Sequence, residues 1–389
     1  MKKFLYVFVF LSIALAACGP AAPAASPTAI ETPTISAAST PASTTATTFG
    51  PTPSFPPEGY GPSNFPSDVD PLTGLTVANP ALLDRRPMVI KVSNEPRIAV
   101  RPQWGLSLAD LVYEYFTDDS GTRFTAVFYG NDADMVGPIR SVRLIDIHLV
   151  RGYKAIFAYG YGDPVVLDRF LHSEFADRLV IEGESTPLKR YDPNGYNHLV
   201  VNTADLSAYA TTKGIQNGRQ NLDGMFFKLK APDGGQPGKQ AIVRYSGVIY
   251  NRWDYDPTTG KYLRFSDTLD DFDVRNEQYA QLTDRLTNQP IAFDNMVVLL
   301  VTHEVYSTDS HGNKITDILF SGSGDGYAFR DGQVYKVKWQ RNDTDVVSLT
   351  NPDGTPFPFK PGTTWFEVVG VNSTAQQTDQ GWRFTHQMP

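Results

Sequence analysis

The chain has 389 residues, with 34 lysines and arginines against 42 aspartates and glutamates, for a formal charge of −8. That balance argues against nucleic acid or an anionic lipid surface as the main partner, since both select strongly basic surfaces. The single cysteine excludes a disulfide within the chain.

The first eighteen residues set the expected location. Lys2 and Lys3 form a short basic start, and Phe4–Ala17 is an apolar run broken only by Ser12. The run is shorter than the roughly twenty residues of a membrane-spanning helix and fits the apolar part of a secretory signal. It closes on Leu15-Ala16-Ala17-Cys18, which resembles the lipobox of bacterial lipoproteins. The resemblance implies that Cys18 is lipidated and becomes the mature N-terminus, so the expected location is extracytoplasmic and anchored to the cell membrane. Residues 19–67 are rich in Pro, Thr, Ala and Ser. They hold too little apolar surface to offset ordering entropy and are expected to form a disordered tether.

The remaining chain is long enough for two domains. Arg86–Ser93 reads as a buried strand. Leu111–Phe116 and Arg123–Tyr129 alternate in polarity around the turn-rich "TDDSG" and read as a hairpin. Arg140–Gly152 reads as a helix, Ala155–Gly162 as a strand, and a helix follows with Pro164 in its first turn. A last helix is expected from Thr203 to Gly214. Interleaved strands and helices over 68–229 predict an α/β domain with a mixed sheet. Residues 230–240 form a Gly/Pro-rich linker. Over 241–375, strand-like runs between Gly, Asp and Pro turns predict a mostly antiparallel β domain. The expected fold class is α+β.

Several stretches resemble the YerB-like bacterial lipoproteins. "DPLTGL", "RPMVIKVSN", "VRPQWGLSLADLVYE", "GTRFTAVF" and "GPIRSVR" are similar to the first domain of that family. "GYAFRDGQVYKVKW" and "NPDGTPFPFKPGTTWFEVV" are similar to its second. The resemblance runs from about Asp70 to Gly370, in order across both domains. It implies the two-domain architecture and an envelope location, and it supplies no reaction. One departure stands out: Asn197-His198 precedes "LVVNT" where the family pattern implies His-Asn.

The candidate binding residues centre on "VGPIRSVRLIDIHLVRGYK", Val136–Lys154. A helix starting near Ile139 would place Arg140 and Arg143 in its first turn, with Arg151 returning to the same side. Cations there oppose the positive end of the helix dipole. An anion would relieve the conflict, either a phosphate or carboxylate ligand or an internal acid such as Glu114, Asp110 or Asp134. Arg123 and Glu114, opposite each other in the expected hairpin, join the candidate site with Arg101 and Asn94. Asn197, His198 and Arg151 are secondary candidates. The partners expected are the membrane, through the lipid, and an anionic cell-wall glycan or an envelope protein.

Catalytic signals are weaker. His303 and Glu304 are neighbours on an expected strand, so they point to opposite faces and cannot easily share an ion; Asp309 and His311 do not complete a metal motif. No cofactor is expected. Ser321–Tyr327 is glycine-rich and reads as a hairpin turn, and it lacks the first glycine of a nucleophile elbow. Glu114, Asp118, Asp119 and Asp163 could supply an acid/base pair for glycoside chemistry. Tyr159 and Tyr161 would share a strand face, and Trp104 sits in "RPQWGL" near Arg101; such aromatics beside polar groups suit sugar stacking, although aromatics also build β-rich cores. The expected function is a non-catalytic envelope binding module. An enzyme acting on a phosphorylated or polyprenyl-linked glycan and a purely structural scaffold are the alternatives.

Overall fold

A computed structural model describes residues 55–388, apart from 118–120, 194, 196, 309–311 and 313. Cys18 and most of the expected tether lie outside these residues. Residues 55–67, also expected in the tether, instead pack on the fold: Tyr60 pairs with Phe227, and Phe55 and Phe65 rest against the core. Three aromatic rings supply the apolar surface that the rest of the Pro/Thr/Ala/Ser stretch lacks.

In chain order the main elements are β1 (Met88–Ser93), β2 (Leu111–Phe116), β3 (Thr122–Phe128), α1 (Ile145–Gly152), β4 (Ile156–Ala158), α2 (Pro164–Leu171), β5 (Leu179–Val180) and α3 (Thr203–Thr212). Then come β6 (Gln240–Arg244), β7 (Tyr250–Asp256), β8 (Lys261–Asp267), β9 (Tyr279–Gln281) and β10 (Asn295–Val301). The last are β11 (Gly322–Arg330), β12 (Gln333–Arg341), β13 (Ser348–Thr350), β14 (Thr364–Gly370), β15 (Thr374–Gln377) and β16 (Gly381–Thr385). Caps follow the chemistry of the sequence: Asp163 accepts from Val165 N–H before Pro164, and Asn202 accepts from Asp205 N–H at α3.

Two sheets carry the fold. The larger is mixed and runs β13-β12-β11-β10-β14-β2-β3-β1-β4-β5. The smaller runs β9-β8-β7-β6-β16-β15. Strand β14 pairs in parallel with both β10 and β2, so the large sheet continues without a break from one half of the sequence into the other. Strands with cover on both faces need apolar residues at every position. "TWFEVVG" and "MVIKVS" are buried throughout and mostly apolar, with Glu367 and Lys91 as the charged exceptions.

Each face of the large sheet has its own core. On one, Val89, Tyr113, Tyr115 and Val127 pack with Ile145 and Leu149 of α1 and Phe170 of α2. On the other, Ile90, Val112, Phe124 and Trp365 pack against Val243, Trp253 and Tyr262 of the smaller sheet. Ser321–Tyr327 is not a hairpin turn: from Gly322 it is strand β11, paired residue by residue with β12. A Cβ on Gly324 would lie 2.5 Å from the Trp339 indole nitrogen, so the glycine admits the ring rather than bending the chain.

Candidate anion-binding site

Strands β1 and β4 run parallel from Met88↔Ile156 to Ile90↔Ala158 and then separate. The segment Pro138–Val142 fills the gap. Arg140 N–H donates to Lys91 O at 3.0 Å, and Ser93 N–H to Pro138 O at 2.8 Å. On the other side Gly160 N–H donates to Arg140 O at 2.9 Å, and Val142 N–H to Tyr161 O at 2.7 Å. This extended wedge lies at the carboxyl ends of two parallel strands, where open α/β sheets hold their ligands.

The wedge corrects the expected helix boundary. Helix α1 begins at Ile145, so Arg140 and Arg143 precede it rather than forming its first turn. The bonds to β1 and to Gly160 hold residues 138–142 extended. The acidic residue of the first turn is Asp146, the sign the helix dipole favours. Its Oδ2 accepts from Arg143 N–H at 2.8 Å.

Asp146 also anchors the charge beneath the wedge. Lys91 Nζ lies 3.1 Å from Asp146 Oδ2 and 3.3 Å from Oδ1, with both side chains fully buried. Thr125 Oγ1 donates to Oδ1 at 2.7 Å, and Tyr115 OH donates to the same oxygen. The Lys91 amine also donates to Tyr115 OH and stands 4.1 Å from the centre of its ring. Burial pushes Lys91 down to about 7, against the pull of Asp146 and with help from Arg143 and Arg123. Arg143 is half-buried, and its Nη1 donates to Val142 O at 3.0 Å. Among the described residues no carboxylate lies within ion-pair distance of Arg143.

Strand register separates two residues expected together. Glu114 pairs with Phe124, and Arg123 pairs with Tyr115. They therefore point to opposite faces of the sheet. Arg123 shares the Lys91 face, where its Nη1 donates to Thr122 O at 2.9 Å. Glu114 faces the smaller sheet. There it accepts from Arg264 at 2.6 Å, Thr122 Oγ1 at 2.6 Å, Asn94 at 3.2 Å and Asn251 at 3.3 Å. Asn94 thus serves the Glu114 cluster and not the arginine segment. Glu114 is pushed up to about 8 by burial, opposed by Arg264 and reinforced by Glu367.

The other candidates are dispersed. Arg101 donates to Asn94 O at 3.0 Å, to Asp267 Oδ2 at 3.1 Å and to Glu95 at 3.2 Å, so its own fold saturates it. Arg151 lies at the far end of α1 and pairs with Glu174 at 2.5 Å. The rings of His198 and Tyr191 pack tilted with centroids 4.4 Å apart, those of Tyr191 and Trp104 likewise at 4.6 Å, and Arg285 lies 4.1 Å over the indole. Asn197 is buried beside this cluster and accepts from Tyr191 OH through its backbone carbonyl at 3.3 Å. Tyr159 and Tyr161 do not share a surface. Tyr159 is buried against Phe157, whereas Tyr161 is 65% exposed beside the wedge.

Of the remaining acids, Asp110 accepts from Tyr129 and Gly130 N–H, Asp163 caps α2, and Asp118 and Asp119 lie outside the described residues. Asp134 is exposed and accepts from Asn202 at 3.5 Å. His303 is buried and Glu304 exposed, as opposite strand faces require; Asp309 and His311 lie outside the described residues. Lys91, Asp146, Arg264 and Glu367 were not anticipated from the sequence. Three of them carry a visible signal, a lone charge inside an apolar run in "MVIKVS", "YLRFS" and "TWFEVV", which demands a buried partner.

Two family models match the chain in order. The N-terminal domain of a protein of unknown function (DUF3048) covers residues 72–216, and the C-terminal domain of the same family covers 241–366. The YerB protein of Bacillus subtilis (strain 168), named as a candidate lipoprotein, is 28% identical over 303 residues, covering 77% of this chain and 85% of its own. The crystal structure of YerB from Bacillus subtilis matches with a TM-score of 0.64 at 26% identity, covering 77% of this chain and 96% of that one. No helix among the described residues is long and apolar enough to cross a membrane.

Proposed function

We propose, on the premise that this chain belongs to the YerB-like family, that it is a lipid-anchored extracytoplasmic protein that binds an anionic group at the wedge between β1 and β4. The likeness to a candidate lipoprotein and the Leu15–Cys18 sequence support the anchor. The site reading rests on one observation: Arg143 stands at the carboxyl ends of two parallel strands, while Asp146, which accepts from its backbone N–H, is held by Lys91, Tyr115 and Thr125. A guanidinium so placed suits the oxygens of a phosphate or carboxylate. An anionic cell-wall glycan has that chemistry and lies within reach of an anchored protein.

The test is titration of the full chain with poly(glycerol phosphate), with uncharged dextran as control. Binding to the polyphosphate should weaken with salt and fall about tenfold in Arg143→Ala, a loss of about 1.4 kcal/mol. Its melting temperature should not move. Equal binding by the variant, or none by the native chain, would overturn the reading.

A further inference from the structure

The geometry points to a covalent link: we propose that Lys91 and Asp146 condense to an intramolecular isopeptide bond between β1 and the start of α1. The two groups are in contact at 3.1 and 3.3 Å, with neither side chain exposed to solvent. They are brought together by the tertiary fold and held there from both sides.

The surrounding groups suit this condensation. Without water, transfer of the proton from Nζ to Asp146 Oδ2 removes two charges that burial penalises, leaving an amine beside a carboxylic acid. Arg143 and Arg123 favour the neutral amine, because each repels the ammonium. Nζ then bonds to Cγ of Asp146. The charge that develops on Oδ1 meets two hydroxyl donors already aimed at that oxygen, Tyr115 OH and Thr125 Oγ1. The Cγ–Oδ2 bond breaks, and Oδ2 leaves as water with two protons, one from the acid and one from the amine. Nothing is oxidised or reduced, and no co-reactant is needed.

The bond would close the chain around the wedge, since Pro138–Val142 lies between the joined residues in sequence and hydrogen-bonds to Lys91 itself. It would consume one positive and one negative charge. Arg143 would keep its guanidinium and its place.

Peptide mapping of the purified, folded full chain after prolonged incubation tests this. Trypsin cuts after a free lysine and not after an acylated one. The expected product joins the peptide Arg86–Arg97, uncut at Lys91, to Leu144–Arg151, lighter than their sum by one water. Lys91→Met should lack the joined species and yield Leu144–Arg151 alone. Quantitative cleavage after Lys91 in the native chain would overturn the proposal and leave an ordinary buried ion pair.

Discussion

Glu114 and Glu367 are direct neighbours on the parallel strands β2 and β14, and both bind the guanidinium of Arg264, at 2.6 and 3.0 Å. The three side chains are buried between the two sheets. Tyr245 and Trp253 complete the cluster by donating to Glu367 at 2.9 and 2.8 Å. Glu114 comes from the first half of the sequence, whereas Arg264, Glu367, Tyr245 and Trp253 come from the second. One ionic centre therefore fastens the halves that the continuous ladder between β2 and β14 already joins.

Removing the shared cation should cost far more than a surface change. Arg264→Met leaves two buried carboxyl groups without their shared cation, and breaking such a centre costs about 3–5 kcal/mol. Urea unfolding should show that loss as a lower midpoint. A change below about 1 kcal/mol would mean that the carboxylates find other partners.

The same centre makes stability depend on pH. One guanidinium faces two carboxylates, and burial raises Glu114 to about 8. A carboxyl raised above its unfolded value of about 4.3 favours the fold while protonated. Its contribution is therefore complete below about pH 4 and is lost as pH rises through about 8. Asp110, raised by burial to about 6 next to Asp70, acts in the same sense over a lower window. The melting temperature should decline between pH 5 and 9 on account of these groups, and Glu114→Gln should flatten the upper part of that decline. An unchanged slope in the variant would assign the effect elsewhere.

At the wedge, two substitutions should separate binding from stability. Arg143 is half-buried with a single side-chain bond to its neighbour's carbonyl, so Arg143→Ala should shift stability by no more than about 0.5 kcal/mol. Asp146→Ala strands the fully buried Lys91 and should cost about 3–5 kcal/mol. Equal losses in the two variants, measured by thermal unfolding, would show that Arg143 is a structural member of the cluster.

The proposed anchor has its own check. With Cys18→Ala, incorporation of labelled fatty acid should cease, and the protein should leave the membrane fraction during cell fractionation. Retention in that fraction without label would point to anchoring by other means.

Much of the fold is legible in the sequence because local pattern and burial agree. The hairpin around "TDDSG", the strand before Ser93 and the capped helices at Pro164 and Thr203 all fall where turn residues and apolar spacing set them. The arginine segment misleads for a local reason. Gly137-Pro138 followed by apolar residues suits a helix start, but bonds to Lys91 O and from Gly160 N–H hold the next residues extended and delay α1 to Ile145. The glycines of Ser321–Tyr327 mislead in the same way, since Gly324 admits the Trp339 ring from another strand.

The sequence by itself determined the type and order of most elements, the family, and the presence of lone charges inside apolar strands. Only the tertiary structure decided which charges meet. In a strand a shift of one residue moves a side chain to the other face, and that register is set by partners far away along the chain. It sends Glu114 to Arg264 and leaves Arg123 on the face of Lys91, Asp146 and the wedge that leads into Arg143.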